Sequence, residues 1–208
     1  MIENSNLVYV SGNIGAGKST TSSRLSAALP GRLVTEQTDT NPYLPAFYDD
    51  MRRWTFHVDV HFLAERAASV VREFRPGGPP TVFDRCYLEG AIFASVAHTG
   101  GLATDDEWAT FTLLLGSFEA VLPPPAALIY LRADPDLLLE RVKNRGRGYE
   151  VGITLDYLQA LQDAYDRWVA DYTRAPVIVV DTGRVDLRAD EGWGDLVREV
   201  TARMPRSS

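Results

Sequence analysis

An α/β fold, a five-stranded parallel sheet flanked by helices on both faces, is predicted by three observations. Short β-rich runs alternate with helical patterns, several of those runs are apolar without alternation, and the connections are long enough for right-handed helical crossovers. With 208 residues, 45% apolar and 24% charged, the chain can bury one sizeable core, and one domain over 1–208 is expected.

Taken in order, the apolar run Leu7-Val8-Tyr9-Val10 reads as the first strand, and a helix-like segment follows to Leu29. Arg32 to Thr35 reads as the second strand. The longest helical pattern runs from about Arg52 to Phe74 and stops before Arg75-Pro76-Gly77-Gly78-Pro79-Pro80, a breaker that reads as a connection and not a domain linker. Thr81 to Asp84 is the third strand. A helix over Asp105 to Val121 ends at Pro123-Pro124-Pro125, Ala127 to Leu131 is the fourth strand, Thr154 to Asp171 is helical, and Val177 to Val180 is the fifth strand.

Between the first strand and the first helix lies Gly12-Asn13-Ile14-Gly15-Ala16-Gly17-Lys18-Ser19, a phosphate-binding loop in its strand-loop-helix setting. Glycines let backbone N–H groups turn in around phosphate oxygens, and the helix N-terminus adds positive potential. A nucleoside triphosphate is the implied ligand. Its cradle is expected to run from Gly12, Asn13, Ile14, Gly15, Ala16 and Gly17 through Lys18, which reaches the terminal phosphates, to Ser19 and Thr20, with the Ser19 hydroxyl offered to magnesium.

Composition narrows the partners. A net charge of −7 argues against a nucleic acid as the main partner, and no run approaches the length of a membrane helix, so a cytoplasmic location is expected. The single cysteine, Cys86, excludes an intramolecular disulfide framework and reads as a small buried residue. Against the acidic balance, Arg141, Lys143, Arg145 and Arg147 cluster within seven residues, which suits a small polyanion. His57 and His61 have a metal-compatible spacing but no evident third ligand, and His98 supports no assignment.

The acceptor is defined by residues after the strands. Glu36-Gln37-Thr38-Asp39-Thr40-Asn41-Pro42-Tyr43-Leu44 follows the second strand, with Phe47-Tyr48 and Arg53-Trp54-Thr55-Phe56 beyond it. Asp84-Arg85 ends the third, and Arg141 to Glu150 comes after the fourth. Ligands of open α/β sheets collect at such strand ends. A carboxylate there could take the proton from an attacking hydroxyl, a role that fits Glu36.

With the phosphate loop, these blocks over roughly residues 7 to 172 resemble the deoxynucleoside kinase family, particularly its bacterial deoxyadenosine and deoxyguanosine kinases. The resemblance implies a P-loop kinase fold with an arginine-rich lid at about 141–150, ATP as donor, Mg2+ as cofactor and a homodimer built through long helices. It makes Glu36 the general base, sets Asp84 near magnesium with Arg85 on the 5′-oxygen and phosphates, and gives Arg145 and Arg147 the catalytic lid role. Arg141 then packs on the donor adenine, while Tyr48 and Glu150 hold the sugar 3′-hydroxyl. Two departures stand out: Cys86 where a serine or threonine is common, and Glu89-Gly90 where an aspartate follows the glutamate. Either Glu89 shifts into the missing base contact or the contact is absent.

Base selectivity is expected from the long helix, where Asp59, Phe62 and Arg66 recur at i, i+3, i+7 on one face. A carboxylate offers only acceptors, which suits the two donors of guanine, and Arg66 could reach the purine O6 or N7. Deoxyguanosine is the first expectation and deoxyadenosine the second. Two alternatives remain: a nucleoside monophosphate kinase such as thymidylate kinase, and a non-catalytic nucleotide-binding subunit of the same fold.

Overall fold

Leu7–Gly12 (β1), Arg32–Val34 (β2), Thr81–Asp84 (β3), Ala127–Arg132 (β4) and Val177–Asp181 (β5) form one sheet in the order β2-β3-β1-β4-β5, every neighbouring pair parallel. This computed structural model describes residues 5–36, 41–146, 150, 152–189 and 192–204. The five expected strands are present, Thr81–Asp84 as expected and the other four with one end shifted by a residue or two. Every residue of β1 and β3 is buried, so the runs without alternation are strands covered on both faces. The edge strands differ: Leu33 on β2 and Val179 on β5 are exposed.

Contacts divide the chain into two compact units. The first, Met1–Thr35, Phe74–Arg85 and Pro124–Ser208, holds the sheet with helices Lys18–Ala28 (α1), Pro135–Arg145 (α6), Leu155–Asp171 (α7) and Trp193–Arg203 (α8). Its core joins Val8, Val10, Val82, Ile129 and Leu131 of the strands to Leu25, Leu138, Leu158 and Val200 of the helices. Full burial of each such side chain stabilises by about 1.5–3 kcal/mol.

The second unit, Glu36–Glu73 and Cys86–Pro123, is helical: Leu44–Asp49 (α2), Met51–Glu73 (α3), a 3-10 turn at Tyr87–Glu89, Gly90–Thr99 (α4) and Asp105–Val121 (α5). α3 buries Thr55, Val58, Leu63, Ala67 and Val70, a helical stripe. Gly90 allows a close crossing, because a Cβ there would lie 3.1 Å from Cζ of Phe111. α5 opens on a reciprocal cap in which Glu107 N–H donates to Thr104 Oγ1 and Thr104 N–H donates to Glu107 Oε2.

α2, α4, α6 and α8 lack a sequence expectation. α2 is only six residues long, α4 begins on a glycine, and α8 has Gly192 as an N-cap without a side-chain bond. α6 did carry a signal, proline at the first helical position after Asp134.

Candidate active site

The phosphate loop keeps its shape through backbone that only glycine tolerates at two points. Gly12 has φ +149°, and a Cβ on it would sit 2.4 Å from the Leu131 carbonyl oxygen; Gly15 has φ +84°, with a Cβ 2.9 Å from that of Leu138. Lys18, 6% exposed, folds its ammonium back over the loop, donating to the carbonyls of Gly12 at 2.6 Å and Asn13 at 2.8 Å. Asn13 is wholly buried: its Nδ2 donates to the Leu158 carbonyl on α7 at 2.9 Å, and its Oδ1 accepts from Ile14 N–H at 2.8 Å. Ala16 is buried as well. Ser19 and Thr20 are exposed on the first turn of α1, where free N–H groups and the helix dipole favour an anion.

β3 lies beside β1 with Asp84, its last residue, in register with Val10, two residues before Gly12 at the start of the loop. Asp84 is buried to 9% exposure. Arg85 next to it adopts φ +84°, a left-handed backbone that a non-glycine residue holds at about 1–2 kcal/mol, while its N–H donates to the Val10 carbonyl at 3.0 Å. That conformation follows directly on the last residue of the strand. Ser19 and Asp84 are both hard oxygen donors on this one unit, a donor set that suits Mg2+.

Arg141 and Arg145 sit on α6; Arg147 lies outside the described residues. Arg141 donates from Nη1 to Thr182 Oγ1 at 2.9 Å and from Nη2 to the Thr182 carbonyl at 2.7 Å, beyond β5. Burial and, secondarily, the Arg188 charge lower its pKa. Arg145 grips Glu150 at both carboxylate oxygens, Nε to Oε2 at 3.1 Å and Nη2 to Oε1 at 2.5 Å, with Glu150 itself buried. The bidentate arrangement is the strong form of an Arg-carboxylate pair.

In the helical unit, Arg66 donates through both Nε and Nη2 to Oε1 of Glu36, the Nε contact at 3.1 Å, so a residue expected on the base also holds the expected general base. Its guanidinium lies 5.2 Å from the Phe62 ring centroid. Asp59, one turn earlier on the same face, is half-buried, and desolvation raises its pKa to about 7 against a smaller opposing pull from Arg66. Tyr48 on α2 is exposed and meets Phe47 edge-on.

Glu89 is fully buried, and its Oε2 accepts from Cys86 N–H at 3.1 Å, closing a cap around the 3-10 turn. Cys86 Sγ accepts from Leu88 N–H at 3.3 Å, so the sulfur supplies the cap acceptor that a hydroxyl would otherwise give. Burial pushes its thiol pKa upward. His57 and His61 pack their rings around Tyr43, and among the described residues no group of three or more His, Cys, Asp or Glu could hold a metal. Also among the described residues, no helix is long and apolar enough to cross a membrane.

Sequence reasoning did not find the Arg66-Glu36 pair, the Asn13 tie to α7, or a network on β4 and α7 in which Asp166 accepts from Tyr130 and Arg132 while Gln162 donates to the Tyr130 oxygen. Each joins residues far apart in the chain, and no local spacing signals them.

The deoxynucleoside kinase family profile matches residues 8–204. The chain is 33% identical to the deoxyadenosine/deoxycytidine kinase of Bacillus subtilis, over 91% of this chain and 88% of that one. It is 32% identical to the deoxyguanosine kinase of Lactobacillus acidophilus, over 92% and 87%. Among solved structures, the deoxyadenosine kinase of M. mycoides with bound dATP superposes with a TM-score of 0.77 at 26% identity, over 91% of this chain and 98% of that one.

Proposed function

On the premise that the chain belongs to the deoxynucleoside kinase family and is a phosphotransferase of the P-loop kinase fold, we propose that it moves the γ-phosphoryl group of ATP to the 5′-hydroxyl of a purine 2′-deoxynucleoside. Deoxyguanosine is the first choice and deoxyadenosine the second, and the products are the 5′-monophosphate and ADP, in cytoplasmic nucleotide salvage. Glu36 takes the hydroxyl proton as the oxygen attacks phosphorus and the bond to the bridging oxygen of ADP breaks. Lys18, Arg85, Arg145 and Arg147 stabilise the charge spread over the transferring group, and Arg141 meets the donor base. Gly12 to Thr20 bind the donor phosphates. Ser19 and Asp84 would hold Mg2+, which when bound neutralises phosphate charge.

On the acceptor, Tyr48 and Glu150 hold the 3′-hydroxyl, fixing the 5′-oxygen in line, while Asp59, Phe62 and Arg66 meet the base. Arg66 has donors for both tasks, since its Nη1 hydrogens are not used on Glu36. Glu89, whose carboxylate caps the 3-10 turn, is the remaining candidate for a base contact. The observation that carries the hydroxyl acceptor is the Arg66-held Glu36 carboxylate: it can accept a proton, and the pair leaves little net cation to draw a phosphorylated acceptor. A homodimer is supported by the uncharged outer face of α5, where Leu113 and Val121 are each 72% exposed.

Labelled ATP, magnesium and a panel of deoxynucleosides, ribonucleosides and monophosphates test the reading. Transfer to purine deoxynucleosides is expected. Transfer only to monophosphates, or none despite ATP binding, would overturn it.

A further inference from the structure

We propose that Asp59 reads the nucleobase in two protonation states, presenting an acceptor pair to guanine when ionised and a donor-acceptor edge to adenine when neutral, so that pH sets the choice between the two purines. The proposal rests on the reading of Asp59 as a base-facing residue and explains how one helix face could serve both.

Geometry isolates this carboxyl. It sits half-buried on α3, with Phe62 and Arg66 following it on the same face, and among the described residues it makes no hydrogen bond and no salt bridge. Arg66, the cation beside it, has turned Nε and Nη2 to Glu36. Besides Arg66, the titratable and charged groups of the surrounding elements are Tyr48 and Asp49 on α2, Arg52, Arg53, His57, His61, Glu65, Arg72 and Glu73 on α3, Cys86, Tyr87 and Glu89 at the 3-10 turn, His98 on α4, and Asp105, Asp106, Glu107 and Glu119 on α5. None of them contributes appreciably to the electrostatics of Asp59, which are set by burial and Arg66. Both forms are therefore populated near neutrality, its carboxyl being held at about 7.

The two forms differ in what they recognise. An ionised carboxylate has acceptors only and pairs with the N1–H and 2-amino group of guanine. A neutral carboxylic acid has one O–H donor beside an acceptor, the same pair as a side-chain amide, and matches a ring-nitrogen acceptor and the 6-amino group of adenine. Cytosine carries a similar edge, so deoxycytidine should follow deoxyadenosine.

The test is kcat/KM for deoxyadenosine and deoxyguanosine on the full-length protein from about pH 5.5 to about pH 8.5, a range in which neither base changes its own protonation. Taking the ratio cancels every ionisation that both reactions share, including those of Glu36 and the donor phosphates. The deoxyadenosine/deoxyguanosine ratio should fall by at least about tenfold across that range and bend near pH 7. Asp59→Asn, an amide at every pH, should give a flat ratio close to the low-pH value of the unmodified protein. A flat ratio in the unmodified protein overturns the proposal, and the variant then separates two failures. A changed but flat ratio in Asp59→Asn means Asp59 reads the base in one fixed form. An unchanged ratio means it does not face the base.

Discussion

The phosphate loop and the α3 face are built by opposite means. In the loop, shape resides in the backbone: Gly12 and Gly15 hold positive φ against carbonyl oxygens that exclude a side chain, and Lys18 and Asn13 bond to main-chain oxygens. On α3 the backbone is ordinary helix, and the face is distinguished by its side chains: Arg66 pairs with Glu36, and among the described residues Asp59 makes no hydrogen bond and feels Arg66 only through its charge. A backbone-built site has essentially one chemistry, the capture of phosphate oxygens. A site built from side chains can change its chemistry by one substitution or one proton.

The comparison breaks most visibly at Gly12. Gly12→Ala should destabilise by more than about 3 kcal/mol and abolish ATP binding, because the new Cβ would lie 2.4 Å from a backbone oxygen. Gly17→Ala, which keeps an unfavourable φ of +97° but meets nothing within 4 Å, should cost only about 1 kcal/mol. Denaturant titration of both variants reads the difference, and equal losses would show that φ alone, and not close approach, shapes the loop.

On the side-chain half, Glu36→Gln should lower kcat by about 10²–10⁴-fold with little change in nucleoside KM. Near-normal turnover would remove Glu36 as the base. Asn13→Ala comes next. Losing a buried tie to α7 should raise the KM for ATP about tenfold and leave nucleoside KM unmoved, whereas parallel changes would mean the tie supports the whole fold.

A further effect concerns Asp59 and stability. Below pH 3.8 its carboxyl is neutral in both folded and unfolded chains; as pH rises to about 7 the unfolded group ionises and the folded one resists, so stability falls through that window and the loss is complete above it. Asp59→Asn removes this dependence. At pH 8 the variant should be more stable by about 4 kcal/mol, and near pH 3 the two should match. Thermal melts across pH measure the gap, and a gap that does not vary with pH would place its origin elsewhere than in this ionisation.

Legibility in the sequence followed the same division. The loop, the five strands and the helix over Asp105–Val121 were readable because their signals are local: glycine spacing, apolar runs and a proline stop. The residues of the acceptor half were named but not their relations. Glu36 and Arg66 are thirty positions apart, and nothing in either neighbourhood announces that they bond. The expectation of an acceptor-only Asp59 took its ionisation for granted, and ionisation is decided by burial, which only tertiary structure supplies. Glu89 shows the same limit for its contacts: the bond its Oε2 accepts from Cys86 N–H comes from the turn at Tyr87–Glu89, which no local spacing announced.

Arg145 and Glu150 hold one another at both oxygens. Under the roles proposed above, one belongs to the phosphoryl donor and the other to the acceptor sugar, so each substrate must compete with an internal partner, and whichever arrives first releases the group the other needs. Thermodynamic reciprocity makes the gain symmetric: the factor by which nucleoside tightens ATP is the factor by which ATP tightens nucleoside. An ion pair within one protein thus becomes a synergy term in a two-substrate rate law, visible as KM values for each substrate that fall as the other saturates.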